Sequence, residues 1–429
     1  MTNEIDLSNK TQLFWKKETI QYRISFLPKL ANLLLENKEE YAQLITKEIN
    51  KPITQSLAEI EKCATLCNYY HENAAKFLAQ KNIKTEVSES YVIYEPLGVI
   101  LGIMPWNFPF WQVFRFAIPT LIAGNTVVIK HASNVSLCEK ILQDIFEESG
   151  FPNGCYTNIS VPSSAIKQII ANPQIKAISL TGSENAGISV ASEAAKHLKK
   201  CVLELGGNNA FIVLEDANLE KAVATAVNAR MQNAGQSCIA AKRFLIHENI
   251  AIKFITLFKN AIQSLKSGDP FDSSTQINSL ARLDLAEELE LQVKKSIEMG
   301  AKLVIGGNRK GAFYEPTILT NVTTKMPVFN EETFGPVAAI TTFKTIDEAI
   351  ELSNNSNFGL GVSIFTEDIK YIKSKLVHFD ESAIFINEMV KSDPRLPFGG
   401  IKKSGYGREL SEEGIKEFTN VKTVVINEI

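Results

Sequence analysis

Cysteine is scarce in this chain of 429 residues, which contains only six. Their spacing forms no disulfide framework, and the first residues, MTNEIDLSNK, do not resemble a secretion signal. Such cysteine usage suits a reducing compartment, so we expect a cytoplasmic protein. Free cysteines in such proteins are mostly buried and inert, so a reactive one must be distinguished by other features of the chain.

An excess of charge is also missing. The formal net charge is −3, and no long block of like charges occurs, which argues against nucleic acid and anionic membranes as partners. The most apolar region, residues 96–124, is interrupted by Asn107, Arg115 and several prolines, so it does not predict a membrane span. We therefore expect a small-molecule partner.

Several common site motifs are absent from the sequence. It has no Gly-x-Gly-x-x-Gly fingerprint, no P-loop and no Gly-x-Ser-x-Gly motif. Cys63, Cys67 and His71 follow one face of a predicted helix, but ligands spread over two turns cannot converge on one ion. We expect no metal site, and any dinucleotide must be held without the usual glycine fingerprint.

The hydrophobic periodicity divides the chain into two parts. The first 80 residues have the apolar spacing of helices, the first of which Pro28 should kink or split. From Gly98 onward, short apolar runs alternate with helix-length amphipathic segments, which is typical of parallel sheets with helical crossovers. We predict an α/β fold with two domains that meet near the glycine pair at 206 and 207. The alternating run at 421–427 predicts a strand that must join a sheet, in this chain or in another subunit.

Three side chains could carry chemistry, and each has a plain structural alternative. Glu204 ends an apolar strand, where burial would raise the pKa of its carboxyl toward that of a general base, unless it is simply ion-paired. Asn107, between two prolines, could stabilise an oxyanion or only satisfy the backbone of a turn. Cys238, after Gly-Gln-Ser, could be a nucleophile or one more buried thiol. No single motif decides among these alternatives.

Two further segments suit an anionic ligand. Gly182 and Ser183 lie where a strand gives way to a helix, with Ser183 as a predicted N-cap, so this turn could bind a pyrophosphate. Lys130 follows another strand end, where ligands of open α/β sheets bind, although an ordinary solvated lysine would give the same pattern.

Seven segments can be compared in order along the chain: Pro105-Trp-Asn-Phe-Pro109, Lys130, Thr181-Gly-Ser183, Glu204-Leu-Gly-Gly207, Gly235-Gln-Ser-Cys238, Glu332-Thr-Phe-Gly-Pro336 and Pro397-Phe-Gly-Gly400. Taken together, these segments resemble the aldehyde dehydrogenase superfamily in order and spacing, over essentially the whole chain. The chain looks most like the short bacterial succinate-semialdehyde dehydrogenases that use NAD or NADP.

The resemblance implies a domain organisation. It consists of a Rossmann-type cofactor domain at 1–206, a catalytic domain at 207–398, and a return segment with a C-terminal oligomerisation strand at 399–429. Residues 82–95 would belong to a small β oligomerisation arm. A homodimer or homotetramer is implied.

The resemblance also assigns roles to residues. Cys238 would attack the aldehyde, Asn107 and the Cys238 backbone N–H would stabilise the oxyanion, and Glu204 would activate the water that hydrolyses the thioester. Contacts to the cofactor are implied for Trp106, Lys130, Ser133, Gly182, Ser183, Gly206, Glu332 and Phe334. Ala240 replaces the second cysteine of some relatives, so we expect no redox-switch disulfide.

Four positions bear on the choice of cofactor and substrate. NAD-selective members usually carry a glutamate three residues after the lysine, where this chain has Ser133, so we expect NADP or NAD with NADP favoured. Arg115 matches an arginine that binds the distal carboxylate of succinate semialdehyde. The second arginine of those relatives is Gln232 here, which implies weaker carboxylate binding and a wider range, and Ser392 should add a contact.

The preferred hypothesis for the function is therefore the oxidation of succinate semialdehyde. A dehydrogenase for a broader range of aliphatic aldehydes or for other semialdehydes is the alternative. A CoA-acylating enzyme is disfavoured by Glu204 and Asn107, and a non-catalytic binding or structural protein of the same fold is disfavoured by Cys238.

Overall fold

The computed structural model describes residues 2–428, so Met1 and Ile429, at the outer ends of the predicted domains, lie outside the described residues. The α-helices, in chain order, are α1 (Thr2–Trp15), α2 (Ile20–Ile24), α3 (Leu27–Glu36), α4 (Lys38–Ile49), α5 (Ile53–Phe77), α6 (Trp111–Ile122), α7 (Ser136–Glu148), α8 (Ile166–Ala171), α9 (Glu184–Lys196), α10 (Leu219–Met231), α11 (Glu248–Gln263), α12 (Leu283–Glu298), α13 (Pro327–Asn330), α14 (Ile346–Asn354), α15 (Ile369–Lys375) and α16 (Ser411–Lys416). Short 3-10 turns cover Ser163–Ala165, Gln232–Gly235 and Leu376–His378.

The strands are shorter and lie mostly between these helices. In chain order they are β1 (Lys81–Asn82), β2 (Glu89–Pro96), β3 (Val99–Ile103), β4 (Thr126–Lys130), β5 (Tyr156–Asn158), β6 (Ile175–Thr181), β7 (Lys200–Glu204), β8 (Asn209–Val213), β9 (Ala241–His247), β10 (Lys302–Ile305), β11 (Arg309–Lys310), β12 (Phe313–Tyr314), β13 (Thr317–Thr320), β14 (Val337–Phe343), β15 (Phe358–Gly359), β16 (Val362–Phe365), β17 (Ile384–Ile386), β18 (Ile401–Lys402), β19 (Gly405–Tyr406) and β20 (Thr419–Ile426).

The N-terminal helices follow the predicted pattern. α2 ends at Ile24 and α3 begins at Leu27, with Pro28 in the first turn of α3, where its missing N–H breaks no helical hydrogen bond. The predicted split at Pro28 is confirmed. α3, α4 and α5 bury one apolar face each against the first sheet and its helices, and they belong to one core cluster with α6.

The first sheet has the strand order β19-β7-β6-β3-β4-β5 and is parallel except for β19. Strand β4, Thr-Val-Val-Ile-Lys, is rich in β-branched residues and almost wholly buried, as expected of a strand covered on both faces. The chain moves from β3 to β4 and β5, then returns on the other side of β3 as β6 and β7. Ligands of open α/β sheets bind at the carboxyl edge beside such a reversal, and the segments with Asn107, Ser183 and Glu204 all leave the sheet at that edge.

The second sheet has the order β10-β13-β14-β9-β8-β16-β17, with β10 antiparallel at one edge. β7 of the first sheet ends at Glu204, and β8 of the second begins at Asn209. The chain therefore crosses between the sheets at the glycine pair, where the sequence predicts the domain boundary.

The C-terminal segment returns to earlier parts of the chain. β18 pairs with β15, and β19 pairs with β7 of the first sheet. β20 then pairs along its length with β2 in a three-stranded antiparallel sheet with β1, so the predicted strand at 421–427 joins a sheet of its own chain. Among residues 2–428, no helix is long and apolar enough to cross a membrane.

Candidate active site

Two cavities share Cys238 as a common wall. The large cavity, of about 720 Å³, lies at the carboxyl edge of the first sheet and is lined by several predicted residues: Trp106, Asn107, Gly182, Ser183, Gly206, Glu332 and Phe334. The small cavity, of about 340 Å³, lies beside α5 and α6 and is lined by the predicted residues Arg115, Gln232 and Ser392. Molecules bound in the two cavities would meet at the Cys238 thiol.

The loop before Cys238 has a left-handed backbone. Asn233, Ala234 and Gly235 have φ angles of 50°, 51° and 77°, which is a costly conformation for alanine. Long-range hydrogen bonds hold this turn. The Asn233 backbone N–H donates to Gln55 Oε1 at 2.7 Å, and its side-chain amide donates to the Asn107 carbonyl at 2.9 Å. The turn thereby joins the Cys238 loop to the segment that carries Asn107.

The Asn107 side chain is held in one orientation. Its Oδ1 accepts a hydrogen bond from Gln112 Nε2 at 3.1 Å, and its Nδ2 donates to the Gln236 carbonyl at 3.0 Å. An amide nitrogen carries two hydrogens, so Asn107 retains a donor for an oxyanion formed at Cys238. Sequence reasoning missed Gln112, whose signal was a single amide within the apolar run Phe-Pro-Phe-Trp-Gln-Val-Phe.

Cys238 is partly exposed, whereas the other five cysteines are buried. Burial raises the pKa of the Cys238 thiol to about 11, and the nearby charges of Arg115 and Lys242 oppose that rise. The thiol is therefore protonated at neutral pH and must lose its proton before it can act as a nucleophile. Its exposure and its position between two cavities distinguish it from the buried thiols.

Lys242 lies directly beneath the Cys238 loop. Its ammonium donates to the carbonyls of Ser237 and Cys238, at 2.9 Å each, and lies 3.2 Å from a carboxylate oxygen of Glu332. Burial lowers the pKa of Lys242 to about 8. Sequence reasoning missed this residue, although a lysine inside the apolar strand β9 was a usable signal.

Glu332 joins the glycine pair to the Cys238 loop. Besides its ion pair with Lys242, its carboxylate accepts a hydrogen bond from the Gly207 N–H at 3.0 Å. The two glycines have no room for a side chain. A Cβ on Gly206 would lie 2.4 Å from Glu332 Oε2, and one on Gly207 would lie 2.4 Å from the Cys238 carbonyl oxygen.

Glu204 is buried at the end of β7 and lies outside the lining of both cavities. Burial raises the pKa of its carboxyl well above the usual range, and the neighbouring Glu409 raises it further, whereas Arg115 and Arg408 oppose the shift. Within residues 2–428, its Oε1 is buried without a hydrogen-bond partner. The ion pair with Arg115 is made by Glu409, so the structure favours a protonatable Glu204 over a simply ion-paired one.

The residues predicted to contact the cofactor fall into two groups, those that line the large cavity and those that do not. Ser183 is the N-cap of α9, since its hydroxyl accepts a hydrogen bond from the Ala186 N–H at 3.3 Å, and the start of this helix faces the large cavity. Trp106 and Phe334 pack edge to face at 5.9 Å on its wall. Lys130 is the last residue of β4, the strand next to β3, and Ser133 follows it; both lie outside the lining of the large cavity.

Arg115 is already engaged by the protein. Its guanidinium forms an ion pair with the buried Glu409, donates to Thr181 Oγ1 at 3.3 Å, and lies 4.5 Å from the centre of the Phe398 ring. Its role as the ligand of a substrate carboxylate stays a prediction. A second cation, Lys62 of α5, lines the same cavity and donates to Ser392 Oγ at 2.7 Å. Nothing in the sequence distinguished this lysine from the exposed lysines of other helices.

A family model described as the aldehyde dehydrogenase family matches residues 2–424. The chain belongs to the aldehyde dehydrogenase family. The family and the α/β fold expected from the motifs are thereby confirmed. Within residues 2–428, no group of three histidine, cysteine or acidic side chains is arranged to hold a metal ion.

Individual members of the aldehyde dehydrogenase family are similar over nearly the whole chain. The "Probable succinate-semialdehyde dehydrogenase, NADP(+)" of Synechocystis sp. is 46% identical over 99% of this chain and 94% of its own length. The "Succinate semialdehyde dehydrogenase, NAD(P)+" of Escherichia coli K12 is 45% identical over 98% of this chain and 93% of its own length. A crystal structure of succinic semialdehyde dehydrogenase from Streptococcus pyogenes, in complex with NADP+, superimposes with a TM-score of 0.97 at 36% identity, covering 100% of this chain and 95% of that one.

Proposed function

We propose that this aldehyde dehydrogenase oxidises succinate semialdehyde to succinate and favours NADP over NAD as its cofactor. The observation that carries the proposal is the position of Cys238 on the wall shared by a large cavity and a smaller, cation-lined one. The names of the similar proteins from Synechocystis and Escherichia coli support the substrate, and they and the Streptococcus complex support the cofactor.

The residues of the large cavity fit a nicotinamide dinucleotide. The α9 N-terminus favours a phosphate group, and a Cβ on Gly182 would lie 3.7 Å from its nearest neighbour, so a ligand can approach the backbone there. Outside the lining of this cavity, at the end of β4, Ser133 can hydrogen-bond a 2′-phosphate, which a carboxylate at that position would repel, and Lys130 adds positive charge. When bound, the dinucleotide supplies the acceptor of the hydride.

The chemistry of the chain begins with the Cys238 thiol. The thiol loses its proton to solvent, which the charges of Arg115 and Lys242 favour, and the thiolate adds to the aldehyde carbon to form a thiohemiacetal. The Asn107 amide and the Cys238 N–H donate to the oxygen that gains negative charge. Loss of the hydride leaves a thioester on Cys238.

Hydrolysis of this thioester is assigned to Glu204. Its raised pKa suits a group that takes a proton from water at neutral pH. The water oxygen adds to the acyl carbon, the carbon–sulfur bond breaks, and the proton restores the Cys238 thiol. Because Glu204 lines neither cavity, its side chain must turn toward Cys238 for this step.

A second candidate is a dehydrogenase with a broader range of aldehydes. Gln232 supports it, because a neutral amide in the small cavity attracts a carboxylate less strongly than an arginine. Oxidation rates with succinate semialdehyde, glutarate semialdehyde and butanal, each with NADP and NAD, separate the two candidates. We expect succinate semialdehyde with NADP to have the highest kcat/KM. Absence of cofactor reduction with every aldehyde would reject the activity.

We also propose that the protein forms a homodimer or homotetramer. The supporting observation is β20, which lies at one edge of the three-stranded sheet and exposes Val421, Val425 and Ile426. Light scattering of the purified protein tests this directly. We expect the mass of two or four chains, and a monomer at micromolar concentration would contradict the proposal.

A further inference from the structure

We propose that Lys62 is the residue that recognises the distal carboxylate of the substrate in the small cavity, with Ser392 as its hydrogen-bonding partner. This inference rests on the proposed function, since it requires a substrate with an acid group at the far end from the aldehyde. The proposal places the second cation of the small cavity, besides Arg115, on helix α5. Position 232, six residues before Cys238, holds only a neutral glutamine.

The Lys62 ammonium is held at the wall of the small cavity. It lies 4.0 Å from the centre of the Trp111 ring and donates to Ser392 Oγ at 2.7 Å, and all three residues line this cavity with Cys238. The ring and the hydroxyl restrict the lysine without neutralising its charge. An ammonium carries three donors, so two remain for an anion.

The other charges around this cavity are paired with one another. Four ion pairs account for them: Lys51 with Glu59, Arg115 with Glu409, Lys391 with Glu388, and Arg395 with Asp393. Lys62 is the exception, because no carboxylate among the described residues lies within ion-pairing distance of its ammonium. The cavity therefore has one unpaired positive charge on the same wall as the reactive thiol, which suits a monoanionic aldehyde.

The pKa of Lys62 makes this contact sensitive to pH. Burial, together with repulsion by Arg115, lowers the pKa of the Lys62 ammonium to about 8, although Cys63, Glu59 and Asp393 act in the opposite direction. Lys62 is thus charged below about pH 8 and neutral above it. Arginine remains charged throughout this range, so a carboxylate held by Arg115 would give no such change.

The test compares succinate semialdehyde with butanal, which has the same chain length and no acid group. In wild-type protein, the ratio of kcat/KM for the two aldehydes measures carboxylate recognition, because changes in the thiol or the cofactor site affect both. We expect Lys62→Met to lower this ratio roughly 10- to 100-fold, the cost of a charge-assisted hydrogen bond, through KM for succinate semialdehyde. Lys62→Arg should keep most of the ratio. Lys76→Met, at an exposed lysine in the last turn of the same helix, is the matched control and should leave the ratio unchanged.

A second measurement needs no variant. Succinate should inhibit butanal oxidation by wild-type protein, and its inhibition constant should rise about tenfold per pH unit above about pH 8. Inhibition that stays constant from pH 7 to pH 9 would overturn the role of Lys62.

The outcomes distinguish the proposed role of Lys62 from the proposed function of the protein. A wild-type protein that prefers succinate semialdehyde, with a Lys62→Met variant that keeps this preference, would overturn the role of Lys62 and leave the proposed function standing. A wild-type protein that does not distinguish succinate semialdehyde from butanal would overturn both.

Discussion

The contact between Gly207 and the Cys238 loop gives a sharp prediction for Gly207→Ala. A Cβ at this position would lie 2.4 Å from the Cys238 carbonyl oxygen, whereas ordinary contacts begin at 3.4 Å. One of the two backbones must therefore move by about 1 Å. The oxygen belongs to the nucleophile itself, and a misplacement of that size costs on the order of 100-fold in rate. We expect kcat for aldehyde oxidation to fall about 100-fold.

Gly206→Ala is the matched control, because its Cβ would also meet an oxygen at 2.4 Å. That oxygen is the end of the Glu332 side chain, which can rotate away, whereas a backbone carbonyl in a tight loop cannot. Gly206→Ala should therefore change KM for the cofactor, through Glu332, more than it changes kcat. Steady-state kinetics with saturating cofactor separates these two effects.

Two further measurements test whether the effect of Gly207→Ala is confined to the nucleophile. The melting temperature should fall only modestly, since the overlap is local, and circular dichroism should be unchanged. The rate of Cys238 alkylation by iodoacetamide should change in Gly207→Ala and remain near wild type in Gly206→Ala. A Gly207→Ala protein with kcat within about threefold of wild type would refute the claim that this close contact positions the nucleophile.

Three further predictions concern the thiol, the oxyanion donor and the cofactor. Because burial raises the pKa of Cys238 to about 11, its alkylation rate should rise about tenfold per pH unit between pH 7 and pH 9.5, and a plateau below pH 8 would contradict this pKa. Gln112→Met removes the hydrogen bond that orients the Asn107 amide, so kcat should fall about 5- to 10-fold. Asn107→Ala should lower kcat about 100-fold or more. Equal losses in the two variants would contradict a positioning role for Gln112. Ser133→Glu should lower kcat/KM for NADP at least tenfold and spare NAD, and an unchanged preference would show that this position does not select the cofactor.

Much of the fold was predictable because its signals are local. The β-branched run at β4, the position of Pro28 and the glycine pair between β7 and β8 each act within a few residues. The order of the motifs was sufficient to recognise the family, and the model of that family matches residues 2–424.

The composition of the site was less predictable, because its side chains come from distant segments. Lys62 resembled an ordinary helix lysine in sequence. Gln112 and Lys242 stood out within apolar segments, but nothing nearby indicated which side chains they would contact. Lys62 and Ser392 are 330 positions apart and yet lie 2.7 Å from each other. Arg115 was predicted to bind the substrate carboxylate, and its partner Glu409 comes from a segment that returns to the first sheet only at the end of the chain.

The reactive groups could be identified from the amino-acid sequence: one cysteine in a Gly-Gln-Ser-Cys motif, an amide between two prolines, and a carboxylate at a strand end. The hydrophobic pattern also predicted parallel sheets with helical crossovers, with Glu204 at the end of an apolar strand. Which charges neutralise one another, and which one is left unpaired in the small cavity, depends on the packing of the folded chain. The physical reason is that pairing depends on distances of a few ångströms between segments hundreds of residues apart, and no local pattern encodes them.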